Sequence, residues 1–279
     1  MYDQWADILC TIHKYPFNEI GSLTWKSQSN GEDISVSPIV DHHRTGTFSQ
    51  MGPFRNAIEY YSTLSEKYLE LILDGQLFSA YPVKFYLIFK YLTQLAISGR
   101  WNAFEEDLDN GPFFLKHMDD KGDHHILVDD DNNITGVIDW RFARVVPAFE
   151  AFVPSLLTAD LDDFFTGNAG RSPMDMVLTD ALCGKRTPDI DLARMMNGPD
   201  LVRRFSFGLG MGMNISSTEA DHLFKNIMLT ATGIPLFQDM DLEVWYDNRL
   251  HEWADDSRPQ TLLLREGHGD RVWTTSPAS

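Results

Sequence analysis

The chain has 279 residues, of which 43% are hydrophobic and 12% aromatic, a composition that supports a full core and excludes an intrinsically disordered protein. Its net charge of −18 at pH 7 argues against nucleic acid or an anionic membrane surface as a partner, because both would repel it. Cys10 and Cys183 provide no disulfide framework, and no segment approaches the roughly 20 apolar residues of a membrane span. We therefore expect a soluble cytoplasmic protein.

Helical spacing of apolar residues organises the first hundred positions. It predicts a helix over residues 2–13 and two longer helices over 54–74 and 83–97. Between the first and second lies a loop-rich stretch from about 18 to 53, with one short strand near residues 34–40. Gly111-Pro112 then interrupts the helical pattern.

The second half of the chain is again helical in pattern. Ser172 with Asp175, and Thr218 with Asp221, place an acceptor and an acid where helix starts favour them. The glycine-rich run 208–212 lacks the preceding strand and following Lys-Ser/Thr of a phosphate-binding loop, so close helix packing is the better interpretation. The predicted helices cover residues 148–157, 172–182, 189–196, 200–212, 217–231 and 239–255.

The run FFLKHMDDKGDHHILVDDDNNITGVIDW, residues 113–140, predicts strand, acidic loop, short strand, turn and strand. Its loop opens with His117-Met118-Asp119, and its last strand ends in Asp139-Trp140. Apolar strands cannot stabilise so many carboxylates, so the acids must lie at strand ends, facing water, a cation or a ligand. Two strand ends that bear Asp and are linked by a tight hairpin are what a metal-assisted phosphoryl-transfer site requires.

The pattern H-x-D-x-K-x-x-H, followed by I-D-W, resembles the catalytic and metal loops of protein-kinase-like phosphotransferases. It is most similar to the aminoglycoside phosphotransferase (APH/choline kinase-like) family in its fungal form, over roughly residues 113–158. The resemblance implies an α+β fold: a protein-kinase-like C-terminal lobe, mainly helical, with a small catalytic β-hairpin. Residues 1–53 would be a loop-rich N-terminal segment that leads into this lobe, residues 54–265 the lobe itself, and residues 266–279 a disordered tail.

The resemblance also implies a role for each matching residue. Asp119 would accept the proton of a substrate hydroxyl, and His117 would brace the loop internally. Lys121 would neutralise the phosphate of ATP during transfer. Asp139 would bind Mg²⁺ that bridges the nucleotide phosphates, because this hard cation requires oxygen ligands.

One departure from the family pattern leaves the register of the loop open. The family places Asn five residues after the catalytic Asp, as a second metal ligand. Here that position is His124 if Asp119 is the base, and His125 if Asp120 is the base. We favour Asp119, because His117 then keeps its two-residue spacing. Imidazole suits Zn²⁺ or Mn²⁺ better than Mg²⁺, so Mn²⁺ is the alternative metal.

A second departure leaves the function open. The family carries an upstream nucleotide-binding lobe with a lysine on a strand, and neither Lys14 nor Lys26 lies in such a strand. The leading hypothesis is an ATP-dependent phosphotransferase acting on a small-molecule hydroxyl, for which the acidic chain would suit a cationic substrate. The second is a catalytically silent binding or scaffold protein, with a partner covering the face of the missing lobe. A third, a metal-dependent hydrolase, would need Asp41-His42-His43 to meet Asp123-His124-His125.

Overall fold

A computed structural model describes residues 1–25, 34–42, 48–102, 107–119, 125–166, 170–185, 191–210, 215–232 and 239–265. Across these ranges the protein is α+β, with helices packed around a small antiparallel sheet. The α+β class expected from the sequence is confirmed at this level. None of the described helices is long and apolar enough to cross a membrane.

The N-terminal region contains more strand than predicted. Helix α1, Tyr2–Ile12, matches the predicted first helix. The strand predicted near residues 34–40 is confirmed as two short strands, β2 Ile34–Ser37 and β3 Ile39–His42. Two more strands in this stretch were not predicted, β1 Gly21–Trp25 and β4 Phe48–Met51. Both are only four or five residues long and contain Ser or Thr, so their composition resembles that of loops.

Two long helices follow and pack against each other. Helix α2, Ala57–Leu73, begins where the side chain of Asn56 accepts a hydrogen bond from the Glu59 backbone N–H at 2.8 Å. Helix α3, Pro82–Ile97, begins with a proline, which the first turn of a helix accommodates. The first and last residues of both helices lie within three positions of the predicted ones.

The run 113–140 contains the three predicted strands, β5 Phe113–Lys116, β6 Ile126–Val128 and β7 Ile134–Val137. A fourth strand that was not predicted, β8 Arg144–Pro147, follows this run. The main sheet has the antiparallel order β2-β1-β8-β5, while β3–β4 and β6–β7 form separate two-stranded ladders. Lys116 pairs with Arg144, which also pairs with Ser22. The end of β5 and the start of β8 are therefore neighbours, and the loops attached to them meet at one edge of the sheet.

The helical second half is more broken than predicted. The helix expected over 148–157 is a short α4, Ala148–Ala151, followed by a 3₁₀ turn over Leu156–Thr158. The helix expected over 200–212 is a short α8, Leu201–Arg203, continued by a π-helical turn over Arg204–Leu209. The other described helices of this half are α5 Leu161–Thr166, α6 Pro173–Cys183, α7 Leu192–Met196, α9 Ser217–Thr232, α10 Leu242–Glu252 and α11 Ser257–Arg265. Of these, α5 and α11 were not predicted.

One of the two predicted helix caps is correct. Ser172 and Asp175 form a reciprocal capping box at the start of α6. The helix predicted over 217–231 is confirmed as α9, Ser217–Thr232, but its predicted cap at Thr218 is wrong, because Ser216 and Glu219 exchange the capping hydrogen bonds, at 2.7 and 3.2 Å. Asp221, the acid assigned to that start, instead accepts hydrogen bonds from the Lys84 ammonium at 2.9 and 3.0 Å.

The buried side chains form one continuous core that runs from Trp5 to Leu263 and includes Ile20 and Ile39 of the N-terminal segment. The glycine-rich run contributes through packing, as predicted: a Cβ at Gly208 would lie 2.7 Å from a methyl group of Leu223. Beneath the second-half helices lies a buried ionic network. In it Arg203 pairs with Asp175 and Asp200 at 3.1 Å, and Arg204 with Asp200 at 3.0 Å.

Candidate functional site

The candidate site lies where the loop after β5 approaches the loop after β7. The β6–β7 hairpin that separates them turns tightly at residues 129–133. There the Asp129 carboxylate accepts hydrogen bonds from the backbone N–H groups of Asn133 at 2.8 Å and Asp131 at 3.0 Å. These hydrogen bonds, that of Asn133 foremost, lower the pKa of Asp129. The turn is thus closed by one of the acids that the sequence placed there.

His117 ties the two loops together. Its ring is buried, with Nε2 2.9 Å from the backbone oxygen of Ile138 and Nδ1 3.2 Å from the backbone nitrogen of Asp119. Since the Asp119 N–H donates to Nδ1, the neutral ring carries its proton on Nε2 and donates it to the Ile138 carbonyl. One side chain therefore fixes the backbone beside both predicted functional aspartates. These are the contacts expected of a residue that braces the loop.

Asp139 occupies an uncommon backbone conformation, with φ of +58°. Aspartate tolerates this left-handed region better than most residues do. The next residue, Trp140, is fixed by a hydrogen bond from Nε1 to the Val137 carbonyl at 2.9 Å, and its ring packs against His117 with centroids 5.0 Å apart. The carboxylate of Asp139 is 48% exposed, so it is available to a ligand from solvent.

His125 lies between the two aspartates. Its Nε2 atom is 3.8 Å from a carboxylate oxygen of Asp119 and 3.7 Å from one of Asp139. The ring is mostly buried and lies 5.3 Å from that of His117. The structure thus brings together four of the predicted site residues, namely His117, Asp119, His125 and Asp139. Of the two histidines that the sequence left open, His125 is the one seen at the site.

The other predicted site residues, Asp120, Lys121 and His124, lie outside the described residues, and so do Asp123 and His43 of the hydrolase hypothesis. The described half of that hypothesis, Asp41 and His42, belongs to strand β3. The metal-dependent hydrolase therefore stays a prediction.

The donor atoms at the site suit a hard cation that is shared with a ligand. Mg²⁺ is usually bound by one or two carboxylates, and phosphate and water oxygens complete its shell. Asp119 and Asp139 provide two such carboxylates. In the described part of the chain, no group of three or more His, Cys, Asp or Glu side chains could hold a metal ion by itself.

A buried polar cluster that the sequence did not predict supports the strands behind the site. The ammonium of Lys116, the residue before His117, donates to the Glu150 carbonyl at 2.7 Å. The fully buried Glu150 carboxylate accepts a hydrogen bond from the Tyr61 hydroxyl at 2.6 Å. Burial, reinforced by the charge of Glu150, raises the pKa of Tyr61 well above its usual value. No spacing rule links residues 61, 116 and 150, so no sequence signal identifies this cluster.

A cleft of about 450 Å³ opens beside Asp139, between the β1–β2 hairpin and the turn after β7. It was also not predicted, because one of its walls includes β1, which the sequence presents as loop. Its lining residues are Ser22, Leu23, Thr24, Ser37, Leu115, Trp140, Phe142 and Ala143.

Comparison with known proteins gives no relative: no family model matches the chain, and neither does any curated protein or solved structure.

Proposed function

We propose that this chain is a phosphotransferase lobe that transfers a phosphoryl group from ATP to the hydroxyl of a small molecule, as its resemblance to the aminoglycoside phosphotransferases implies. The observation that supports this most is the convergence of Asp119 and Asp139. They belong to different loops, twenty positions apart, yet each has a carboxylate oxygen within 4 Å of the same nitrogen of His125. A phosphoryl-transfer site needs a base and a metal-binding carboxylate near the same phosphate.

In this proposal Asp119 is the general base. Its carboxylate is 47% exposed, so an acceptor hydroxyl can reach it, while its backbone is held by His117. Accepting the proton as the hydroxyl attacks phosphorus contributes typically about 10²- to 10⁴-fold in rate. His117, which lies between β5 and Asp119 in the chain, would hold this loop so that the carboxylate can orient the hydroxyl for in-line attack.

Asp139 would bind Mg²⁺, which neutralises charge on the phosphates when bound. The fixed indole of Trp140 and the left-handed backbone hold this carboxylate toward Asp119 and His125. Lys121 remains the predicted partner of the transferred phosphate. Mn²⁺ is the alternative metal, since the neighbouring donor is an imidazole.

A specific observation favours a second candidate, a catalytically inactive relative that acts as a binding or scaffold protein. The imidazole of His125 lies between the carboxylates, where a bridging cation would have to fit. Apolar side chains on and beside the hairpin are also exposed, among them Leu127, Val128 and Ile138, and a partner could cover them.

Calorimetric titration with ATP, once with Mg²⁺ and once with Mn²⁺, tests the proposal, with Asp139→Asn as the matched variant. Metal-dependent micromolar binding that Asp139→Asn weakens at least tenfold would support a phosphate site. No binding with either metal would overturn the phosphotransferase and leave the binding protein.

A turnover assay with the variants Asp119→Asn and His125→Asn separates the two candidates further. Asp119→Asn should abolish phosphate transfer without affecting ATP binding, whereas wild-type rates would exclude Asp119 as the base. His125→Asn restores the amide that the family pattern places near this position. It should raise the rate if the imidazole obstructs the metal.

A further inference from the structure

The cleft beside Asp139 has one wall of aromatic rings that are held in place. Trp140 and Phe142 line it and remain 37% and 43% exposed. The indole is fixed by its hydrogen bond to the Val137 carbonyl and by its contact with the ring of His117. When a flat ligand stacks on the indole, the protein loses little side-chain entropy, because that ring is already ordered.

The backbone around Trp140 is bent in a way that has a cost. Asp139, which precedes it, and Phe142, two residues after it, have positive φ angles, of +58° and +70°. For a bulky residue such as Phe142 this conformation is an outlier, and strained residues of this kind concentrate in active sites and ligand clamps. The bend places both aromatic side chains on the wall of the same cleft.

The wall made by β1 and β2 is polar. Ser22 and Thr24 of β1 and Ser37 of β2 line it, and the Ser37 hydroxyl donates to the Ser22 carbonyl at 3.1 Å. Among the described residues, none that lines the cleft is ionisable, and the guanidinium of Arg141 lies 5.6 Å from the centroid of the Phe142 ring. The volume of about 450 Å³ lies within the range of small-molecule sites.

We propose that this cleft binds a flat ring, stacked on Trp140 and Phe142, with its polar edge toward the hydroxyls of β1 and β2. Trp140 directly follows Asp139, so the cleft lies next to the loop that carries this carboxylate. The ring belongs to the nucleotide or to the acceptor, because both sources would bring the same chemistry to the cleft. The inference rests on the proposed function for the identity of that ligand, whereas binding itself requires no phosphoryl transfer.

Saturation-transfer NMR on the full chain tests the inference with three probes: adenosine, naphthylethanol as a flat ring with a hydroxyl, and cyclohexylethanol as its non-planar counterpart. Phe142→Gly deletes one ring and relieves the positive φ, so the fold should tolerate it. Thr24→Val removes one hydroxyl at nearly constant shape. Tyr15→Ala, which removes an exposed aromatic ring that does not line the cleft, is the control.

At least one flat probe should bind, cyclohexylethanol should bind more weakly, and Phe142→Gly should weaken the flat probe about 2- to 10-fold, the worth of one aromatic contact. Thr24→Val should weaken adenosine more than naphthylethanol, and Tyr15→Ala should change neither. Binding of adenosine alone would assign the ring to the nucleotide, binding of naphthylethanol alone to the acceptor, and mutual competition would show one site open to both.

Failure of both flat probes to bind would overturn the inference, and so would binding that Phe142→Gly leaves unchanged or that cyclohexylethanol matches. The outcome is independent of the proposed function. Ring binding without any ATP turnover would keep the cleft and count against the phosphotransferase. Turnover without ring binding would do the reverse.

Discussion

His117→Phe is the substitution that best tests how the candidate site is held together. Phenylalanine keeps a planar ring in a site that is 5% exposed, but it removes both ring nitrogens. The Ile138 carbonyl, 2.9 Å from Nε2, and the Asp119 N–H, 3.2 Å from Nδ1, would then lose their partner. A buried backbone group left unsatisfied costs about 1–3 kcal/mol. Water reaches half-exposed Asp119 more easily than Ile138, so the hydrogen bond lost at Asp119 should cost an amount near the lower end of this range. We expect the two losses together to lower the free energy of unfolding by about 2–4 kcal/mol.

Urea unfolding followed by circular dichroism measures this loss. Trp140→Phe is the matched control, because it removes one hydrogen bond to the Val137 carbonyl from a partly exposed ring. It should lower the free energy of unfolding by at most about 1 kcal/mol, since water can replace the lost donor. If His117→Phe is no less stable than this control, the two loops are not held by His117. Metal-dependent ATP binding should fall in His117→Phe as well, because both carboxylates lose their fixed positions.

Three further predictions concern the scaffold. Arg203→Met leaves the buried Asp175 carboxylate without the arginine it pairs with, while Asp200 keeps Arg204, and should cost about 3–5 kcal/mol in urea unfolding; a loss below about 1 kcal/mol would mean that the ion pair is not needed. Burial raises the pKa of Asp256, but hydrogen bonds from neighbouring basic and tyrosine side chains outweigh it and hold the pKa below the usual 3.8. The stability it contributes is therefore present above that pH and lost as the pH falls below it. Unfolding of Asp256→Asn between pH 4 and pH 2 should accordingly depend less on pH than that of the wild type. Gly208→Ala should lower the unfolding free energy by about 1–3 kcal/mol through its contact with Leu223, whereas Gly184→Ala, whose Cβ meets nothing within 4 Å, should not lower it.

The sequence predicts well what local rules control. The 3.6-residue period locates α2 and α3, and the reciprocal capping pair locates the start of α6. The hairpin at the candidate site follows from apolar runs separated by acids and a tight turn. These features depend on residues close together in the chain, whose physical preferences point the same way.

What the sequence does not predict depends on distant contacts. Strand β1 is stabilised by pairing with β8. Its short sequence, GSLTW, does not indicate that it pairs with a strand so distant in the chain. The position of His125 beside the two aspartates could not be predicted, because the sequence does not show which way neighbouring residues of a loop point. The contact of Lys116 with Glu150 could not be predicted either, because it forms only when β5 and α4 are packed.

The pairing of β1 with β8 also bears on how the protein reaches its folded state. Gly21 pairs with Val145, so this part of the sheet joins regions that are far apart in the chain, and closing so long a loop is entropically costly and slow. The β6–β7 hairpin and the paired helices have only near neighbours to find and should form earlier. The wall of the cleft that β1 provides would then be completed late. During folding, the hairpin between the two aspartates would therefore form first. The cleft would be complete only after β1 has paired with β8.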